Sequence, residues 1–306
     1  MTFPSPPTPL AVNQLLAGDE SIATWVGVDN STHYLTGGMA PHPAVQEGVI
    51  VGDWKGLMAP FKHLDQSTAR QDGATWTDTV WDPLELDFTV EVFGQSPAGF
   101  RAAQRSWFNS WDPKLQGRLI WFTRHMGEWW LDLRLLKEPS DTLKTSPAMI
   151  TRQPYSWAAR ADVPFWQSFD SCSSLVASST TVLANPLGGA PNFLPLWNRG
   201  DQAAWPRYII RGPLTQITIQ DGQSTGVVGF GPLAAGQTAL ISTLPSKRSV
   251  KDLTTNSNLY PLMTGRFDHP LPASVDGAHI TVTVTGAVAG QTQINAALTP
   301  LRKWPE

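Results

Sequence analysis

At 306 residues the chain is longer than one compact core usually organises, so two domains are expected. Hydrophobic residues make up 41% and charged residues 15%, below the roughly one quarter charged of ordinary soluble domains, while Gly and Pro fill 25 and 26 positions, a balance that points to β-structure and to surface buried in an assembly. The net charge of −3 and pI near 6.1 exclude a protein that grips nucleic-acid phosphates through a basic cluster.

The charge is unevenly placed. Residues 1–168 carry 13 Lys/Arg against 18 Asp/Glu, and residues 169–306 carry 9 against 7, so the first part is the acidic one. A lone cysteine, Cys172, rules out an internal disulfide and a cysteine-based zinc site, fits a reducing cytoplasm, and is read as a small core residue. Met1 to Glu20 holds four prolines with no basic start and no apolar run, so no signal peptide is expected there, and no stretch reaches the apolar length of a membrane helix. The 14 tryptophans suit either a core or a protein interface.

Residues 1–44 match no recognisable pattern and are read as an arm. The clearest element follows at Leu84 to Val92, where Leu84, Leu86, Phe88, Val90 and Val92 alternate with Glu85, Asp87, Thr89 and Glu91. Period-two alternation predicts a half-buried strand with an acidic outer face. Ser96-Pro97 supplies an N-cap and a first-turn proline for a helix carrying Phe100, Trp107 and Trp111, closed by Asp112-Pro113. Leu119 to Thr123 and Trp129 to Leu136, separated by Arg124-His125-Met126-Gly127, predict a hairpin. A polar insertion spans Pro139 to Gln153, and a last strand of this domain lies within Gln153 to Phe169, with Trp166 as its aromatic anchor.

The domain boundary is placed near residue 169, where the composition turns to Ser, Thr, Ala, Gly and Asn. From Trp205, a second aromatic anchor, short strands are predicted at Tyr208 to Arg211, Gln216 to Gln220, Val227 to Phe230, Ala239 to Thr243 and Ile280 to Thr285. Turns are expected at Gly212-Pro213, Asp221-Gly222, Gly231-Pro232 and Asp276-Gly277, a spacing that implies a β-sandwich.

Three chemical patterns are present in the letters alone. Gly222-Gln223-Ser224-Thr225-Gly226 spells the nucleophile elbow of hydrolases, which needs its serine on a turn from strand into helix. Here it falls between two strands behind an Asp-Gly turn, so a hairpin loop is the stronger reading. The six histidines, His33, His42, His63, His125, His269 and His279, have no metal-ligand spacing. Glu85 and Asp87 could be drawn as a glycosidase pair, yet carboxylates on one face of a strand usually mark a solvated surface. No nucleotide-binding or EF-hand pattern occurs, so no cofactor and no catalysis are expected.

Several runs carry a resemblance to a family. Gln71-Asp72-Gly73-Ala74-Thr75-Trp76 with Trp81-Asp82-Pro83-Leu84-Glu85-Leu86, then Ala161-Asp162-Val163-Pro164-Phe165-Trp166, then Asn198-Arg199-Gly200-Asp201 through Trp205-Pro206-Arg207-Tyr208-Ile209-Ile210-Arg211-Gly212-Pro213 are similar to the distal tail proteins of siphophages, particularly the minor tail proteins of phages that infect actinobacteria. Ala235 to Thr243 and Leu298-Thr299-Pro300-Leu301-Arg302 also fit, so the likeness covers roughly residues 45 to 306.

The resemblance implies a mainly β chain: an N-terminal domain (1–168) with one helix and a hairpin that closes a hexameric ring, then a galectin-like β-sandwich (169–306). It implies a virion protein joining the tail-tube protein above to the tail-tip hub below, with the tape-measure protein as a further neighbour and DNA only in transit. On that reading the acidic face of Glu85, Asp87 and Glu91 either lines the ring's lumen or simply keeps an outer face soluble. The alternative is a carbohydrate-binding sandwich that holds host cell-wall glycan. A galectin-type sugar site needs polar residues gathered around a tryptophan, and residues 205–230 show no such set.

Overall fold

The structure is a computed structural model that describes residues 21–67, 72–140 and 149–306. The chain divides into two compact units, Met1–Gln167 with Lys303–Glu306, and Ser168–Arg302. The last four residues thus return to the first unit rather than ending the second.

The first unit contains β1 (Ile22–Val26), β2 (Thr32–Tyr34), β3 (Gly48–Lys55), β4 (Phe61–Gln66), β5 (Thr75–Trp81), β6 (Leu84–Phe93), α1 (Pro97–Asn109), β7 (Gly117–Thr123), β8 (Gly127–Leu135), β9 (Arg152–Ala161) and β10 (Trp166–Gln167). The main sheet runs in the order β2-β1-β7-β8-β9-β6-β3 with antiparallel neighbours. Its two ends approach one another, since the Val51 amide donates to the Leu35 carbonyl at 3.2 Å. Residues 22–35, read from sequence as part of an arm, are therefore structural: Ala23, Trp25 and Leu35 join the same core as β6 and α1. Their three-residue second strand is too short to announce itself by alternation.

Helix α1 starts as the sequence predicts, with the Ser96 hydroxyl accepting from the Gly99 amide at 3.0 Å. It ends at Asn109, and Asp112 caps the following turn instead, taking the Lys114 and Leu115 amides at 2.6 and 2.8 Å. Trp107 on its buried face meets Trp111 and Trp157 edge-on at 5.6 and 5.5 Å between centroids, and Trp25 stacks on Trp111 at 3.7 Å. Most tryptophans of this unit are thus core. The polar insertion at Pro139 to Gln153 falls largely outside the described residues.

The second unit contains β11 (Ser171–Ala177), β12 (Leu183–Ala184), β13 (Phe193–Asn198), β14 (Arg207–Arg211), β15 (Gln216–Gln220), β16 (Val227–Phe230), β17 (Thr238–Ser242), β18 (Ser249–Asp252), β19 (Met263–Thr264), β20 (Val275–Thr285) and β21 (Gln293–Leu298). A six-stranded sheet, β12-β11-β21-β14-β17-β18, and a five-stranded one, β13-β20-β15-β16-β19, share a single core. Alternation along β14, β20 and β21 sends Tyr208, Ile210, Ile280, Val282, Ile294 and Ala296 into it. The chain is mainly β, and this unit is a β-sandwich.

Two sequence expectations change here. Asp276-Gly277 is not a turn, because β20 begins at Val275 and runs through it. Gly277 takes φ +74° opposite the register shift between Leu196 and Asn198, so the glycine accommodates a bulge within one long strand. Cys172, expected in the core, is exposed on β11, since the inward positions of that strand are Leu175 and Ala177.

Candidate assembly surfaces

Strands β4 and β5 form a ribbon of their own, paired in register from Phe61↔Trp81 to Gln66↔Thr75. A lone two-stranded ribbon is at best marginally stable in water. This one nevertheless holds Phe61, Leu64, Trp76 and Val80 out to solvent, Trp76 being 60% exposed. A run of exposed large apolar side chains on one element marks a contact surface rather than a solvated one.

The three carboxylates expected along the Leu84 strand do share one face of β6, opposite the core. Two of them meet positive charge. Glu91 is held by a bidentate pair with Arg152 across the strand and Asp87 lies 3.9 Å from Lys137, whereas Glu85 is in register with Arg160 on β9, whose guanidinium pairs with Asp162. On the other side Asp53 and Lys55 of β3 pair with Thr89 and Asp87, and the Asp53 carboxylate accepts the Thr89 amide at 3.0 Å. An open pocket of about 440 Å³ on this face is lined by Asp53, Lys55, Asp87, Lys137, Glu138 and Trp157 among others. The face interleaves acids and bases rather than forming an acidic strip, because register sets bases on β9 and β3 beside the acids of β6. Alternation within β6 alone could not show that.

Trp166 is fully buried in the first unit, with its indole N–H donating to the Leu57 carbonyl at 2.8 Å. Trp205 is partly buried against the core of the second.

Ser224 lies in the six-residue link between β15 and β16, with no helix after it. Its hydroxyl donates to the Asp221 carbonyl at 2.7 Å and accepts the Gly226 amide at 3.1 Å, so its proton is committed to the turn. Downstream, His269 places Nδ1 2.7 Å from the buried Asp221 carboxylate, which also takes the Asp268 and His269 amides. That carboxylate ties one loop to another. Ser224 shares its turn with Asp221, yet the serine is not presented at an elbow.

Among the described residues no group of His, Cys, Asp or Glu is arranged to hold a metal ion, and no helix is long and apolar enough to cross a membrane.

No family profile matches the chain, and no curated protein matches it by sequence. Solved structures do. The SPP1 Dit protein, described as a paradigm of the hub adsorption apparatus in phages infecting Gram-positive bacteria, superposes with a TM-score of 0.59 at 12% identity, covering 92% of this chain and 99% of that one. The chain has the Dit fold. The phage P2 baseplate in its activated conformation gives a TM-score of 0.51 at 11% identity, over 93% of this chain and 99% of that one. Coverage of that extent takes in both units, so the Dit fold here includes the sandwich as well as the helix-bearing sheet.

Proposed function

We propose that this chain is a structural protein of a long bacteriophage tail, the distal tail ring between the last tail-tube ring and the tail-tip hub. The observation that carries the reading is the fold shared with a phage hub protein across both units. The ribbon β4–β5 supports it from within the chain. A ring of identical copies needs a heterologous contact in which one surface of each copy meets a different surface of the next, and closure satisfies every such contact. A projecting ribbon with an exposed Trp76 at its far end supplies one half of that contact.

In this reading six copies form the ring, the tube protein and tape-measure protein lie above, the hub lies below, and the genome passes through the middle. The paired charges of β6, β9 and β3 suit a lumen: a near-neutral wall offers no cluster of unpaired bases to gain counterion-release affinity for phosphate. The role is non-enzymatic, in keeping with a Ser224 hydroxyl committed to its own turn.

The ribbon provides the test. Leu64→Ser with Trp76→Ser removes exposed apolar surface and leaves the core untouched, so the variant should fold with an unchanged melting temperature yet sediment as a monomer where the parent forms a ring. A variant that assembles as the parent does would refute the ribbon's part in the contact.

A further inference from the structure

Helix α1 buries Phe100 and Trp107 and turns its other side to solvent, where Arg101 and Arg105 stand four residues apart. The helix contains no acidic residue, and neither arginine has an ion-pair partner among the described residues. Arg118, Arg134, Arg152 and Arg160 of the same unit each meet a carboxylate. Phe108, three residues beyond Arg105, is exposed as well, its ring held edge-on against Tyr155 and Trp157 at 5.3 and 5.1 Å between centroids. The rest of this face is Ala98, Ala102 and Ser106, side chains small enough to let another backbone come close. The face thus offers two unpaired cations and an aromatic ring to an incoming surface.

The ribbon β4–β5 has the complementary character. Its register pairs Lys62 with Val80, Leu64 with Asp78 and Asp65 with Trp76, so one face combines exposed Leu64, Trp76 and Val80 with the carboxylates of Asp65 and Asp78 and a single base. Neither carboxylate meets a cation among the described residues. Asp65 and Asp78 are diagonal neighbours across the ribbon, about 7 to 8 Å apart, and the two arginines of α1 are separated by about 5 to 6 Å, so two ion pairs can form side by side. The lengths agree too: six and seven residues of strand and thirteen of helix each run about 20 Å. Ribbon and helix leave β6 at different ends, the ribbon before Leu84 and the helix after Phe93, about 30 Å apart along ten residues of strand. They are therefore two separate surfaces of one copy.

From this we infer that the exposed face of α1 is the receiving surface for the ribbon of a neighbouring copy, with Arg101 and Arg105 pairing Asp65 and Asp78 of that neighbour. The inference rests on the ring reading and names the second half of the contact that the ribbon begins. Covering Leu64, Trp76 and Val80 against Phe108 and the small side chains of α1 removes apolar surface from water on both partners. Arginine is suited to the place, because a guanidinium both pairs with carboxylate and stacks on an indole such as that of Trp76. Opposite charge on the two surfaces also sets the direction of assembly. Helix against helix would bring four unpaired cations together and ribbon against ribbon four carboxylates, so only the head-to-tail pairing that closes a ring is favoured.

The test is a charge exchange on the full chain, read by sedimentation velocity and negative-stain microscopy. Arg101→Glu with Arg105→Glu makes the helix face acidic, and Asp65→Lys with Asp78→Lys makes the ribbon basic. All four positions are exposed, so each variant should keep the melting temperature of the parent. Each alone sets like charges against one another and should sediment as a monomer. An equimolar mixture of the two should recover the ring, because each variant's ribbon then fits only the other's helix, and the recovered ring should contain both in equal number. Rings formed by the helix variant alone would overturn the assignment and leave this face to another tail component, with the ring reading intact. A mixture of two folded variants that stays monomeric would overturn it as well. A parent chain that forms no ring would instead overturn the ring reading, and this contact with it.

Discussion

Two buried tryptophans of the first unit differ in one respect that predicts unequal responses to the same substitution. Trp107 and Trp166 are both fully buried. The Trp166 indole donates to the Leu57 carbonyl at 2.8 Å, whereas the Trp107 indole N–H has no acceptor among the described residues. Truncation of either to Ala removes the same volume and should cost about 3 to 5 kcal/mol. Replacement by Phe separates them. Trp166→Phe leaves the Leu57 carbonyl without its donor, adding about 1 to 3 kcal/mol to a modest loss of packing. Trp107→Phe deletes a buried N–H that gains nothing from burial, so relief of its desolvation offsets part of the lost contact and the net change should stay near about 1 kcal/mol.

For a unit of this size about 1 kcal/mol shifts the melting temperature by roughly 2 to 4 °C. The alanine variants should therefore melt at least 6 °C or so below the parent, and Trp166→Phe should melt clearly below Trp107→Phe. Calorimetry on the intact chain reads both. Equal melting temperatures for the two phenylalanine variants would show that the Leu57 hydrogen bond is not what distinguishes the sites.

Burial holds the His33 imidazole at a pKa of about 4, against 6.5 for a free one, despite the opposing pull of Asp29. The unfolded chain binds that proton from pH 6.5 downward and the folded chain does not, so this contribution is complete above pH 6.5 and declines as pH falls toward 4. The gap sets a ceiling of about 3 kcal/mol, and partial exposure of the ring brings the expected loss nearer half of that. Urea midpoints at pH 7.5 and 4.5 should diverge less in His33→Gln than in the parent, and equal divergence would refute the assignment. Ser224→Ala should assemble into virions normally and show no change in any hydrolytic background. An esterase activity that disappears in this variant would reverse the non-enzymatic reading. Changing Glu85, Asp87 and Glu91 together to Lys strips the counter-charges from Lys137 and Arg152, and if this face lines the lumen, genome ejection should slow at low salt and recover at high salt. Normal ejection from well-formed virions would place the face elsewhere.

The legible parts of the sequence are those where one element carries its own pattern. β6 alternates from Leu84 to Val92 and α1 has its Ser96-Pro97 start, so both can be read locally. β11, spelled Ser-Cys-Ser-Ser-Leu-Val-Ala, offers only two inward apolar residues and is a strand because β21 pairs with it, which is also why Cys172 could be mistaken for core. β4 and β5 hide for a different reason. With solvent on both faces they show no alternation to read. The charges facing β6 are the extreme case, since Glu91 and Arg152 lie 61 positions apart and only the pairing of β6 with β9 brings them together.

The measurement that bears most directly on the central claim is the mass and shape of the purified chain in solution, by light scattering and negative-stain microscopy on one sample. A closed ring of six copies, about 200 kDa from a chain of 33.4 kDa, with an open centre is the predicted result. A monodisperse monomer across the micromolar range would contradict the reading of this chain as a ring-forming tail protein.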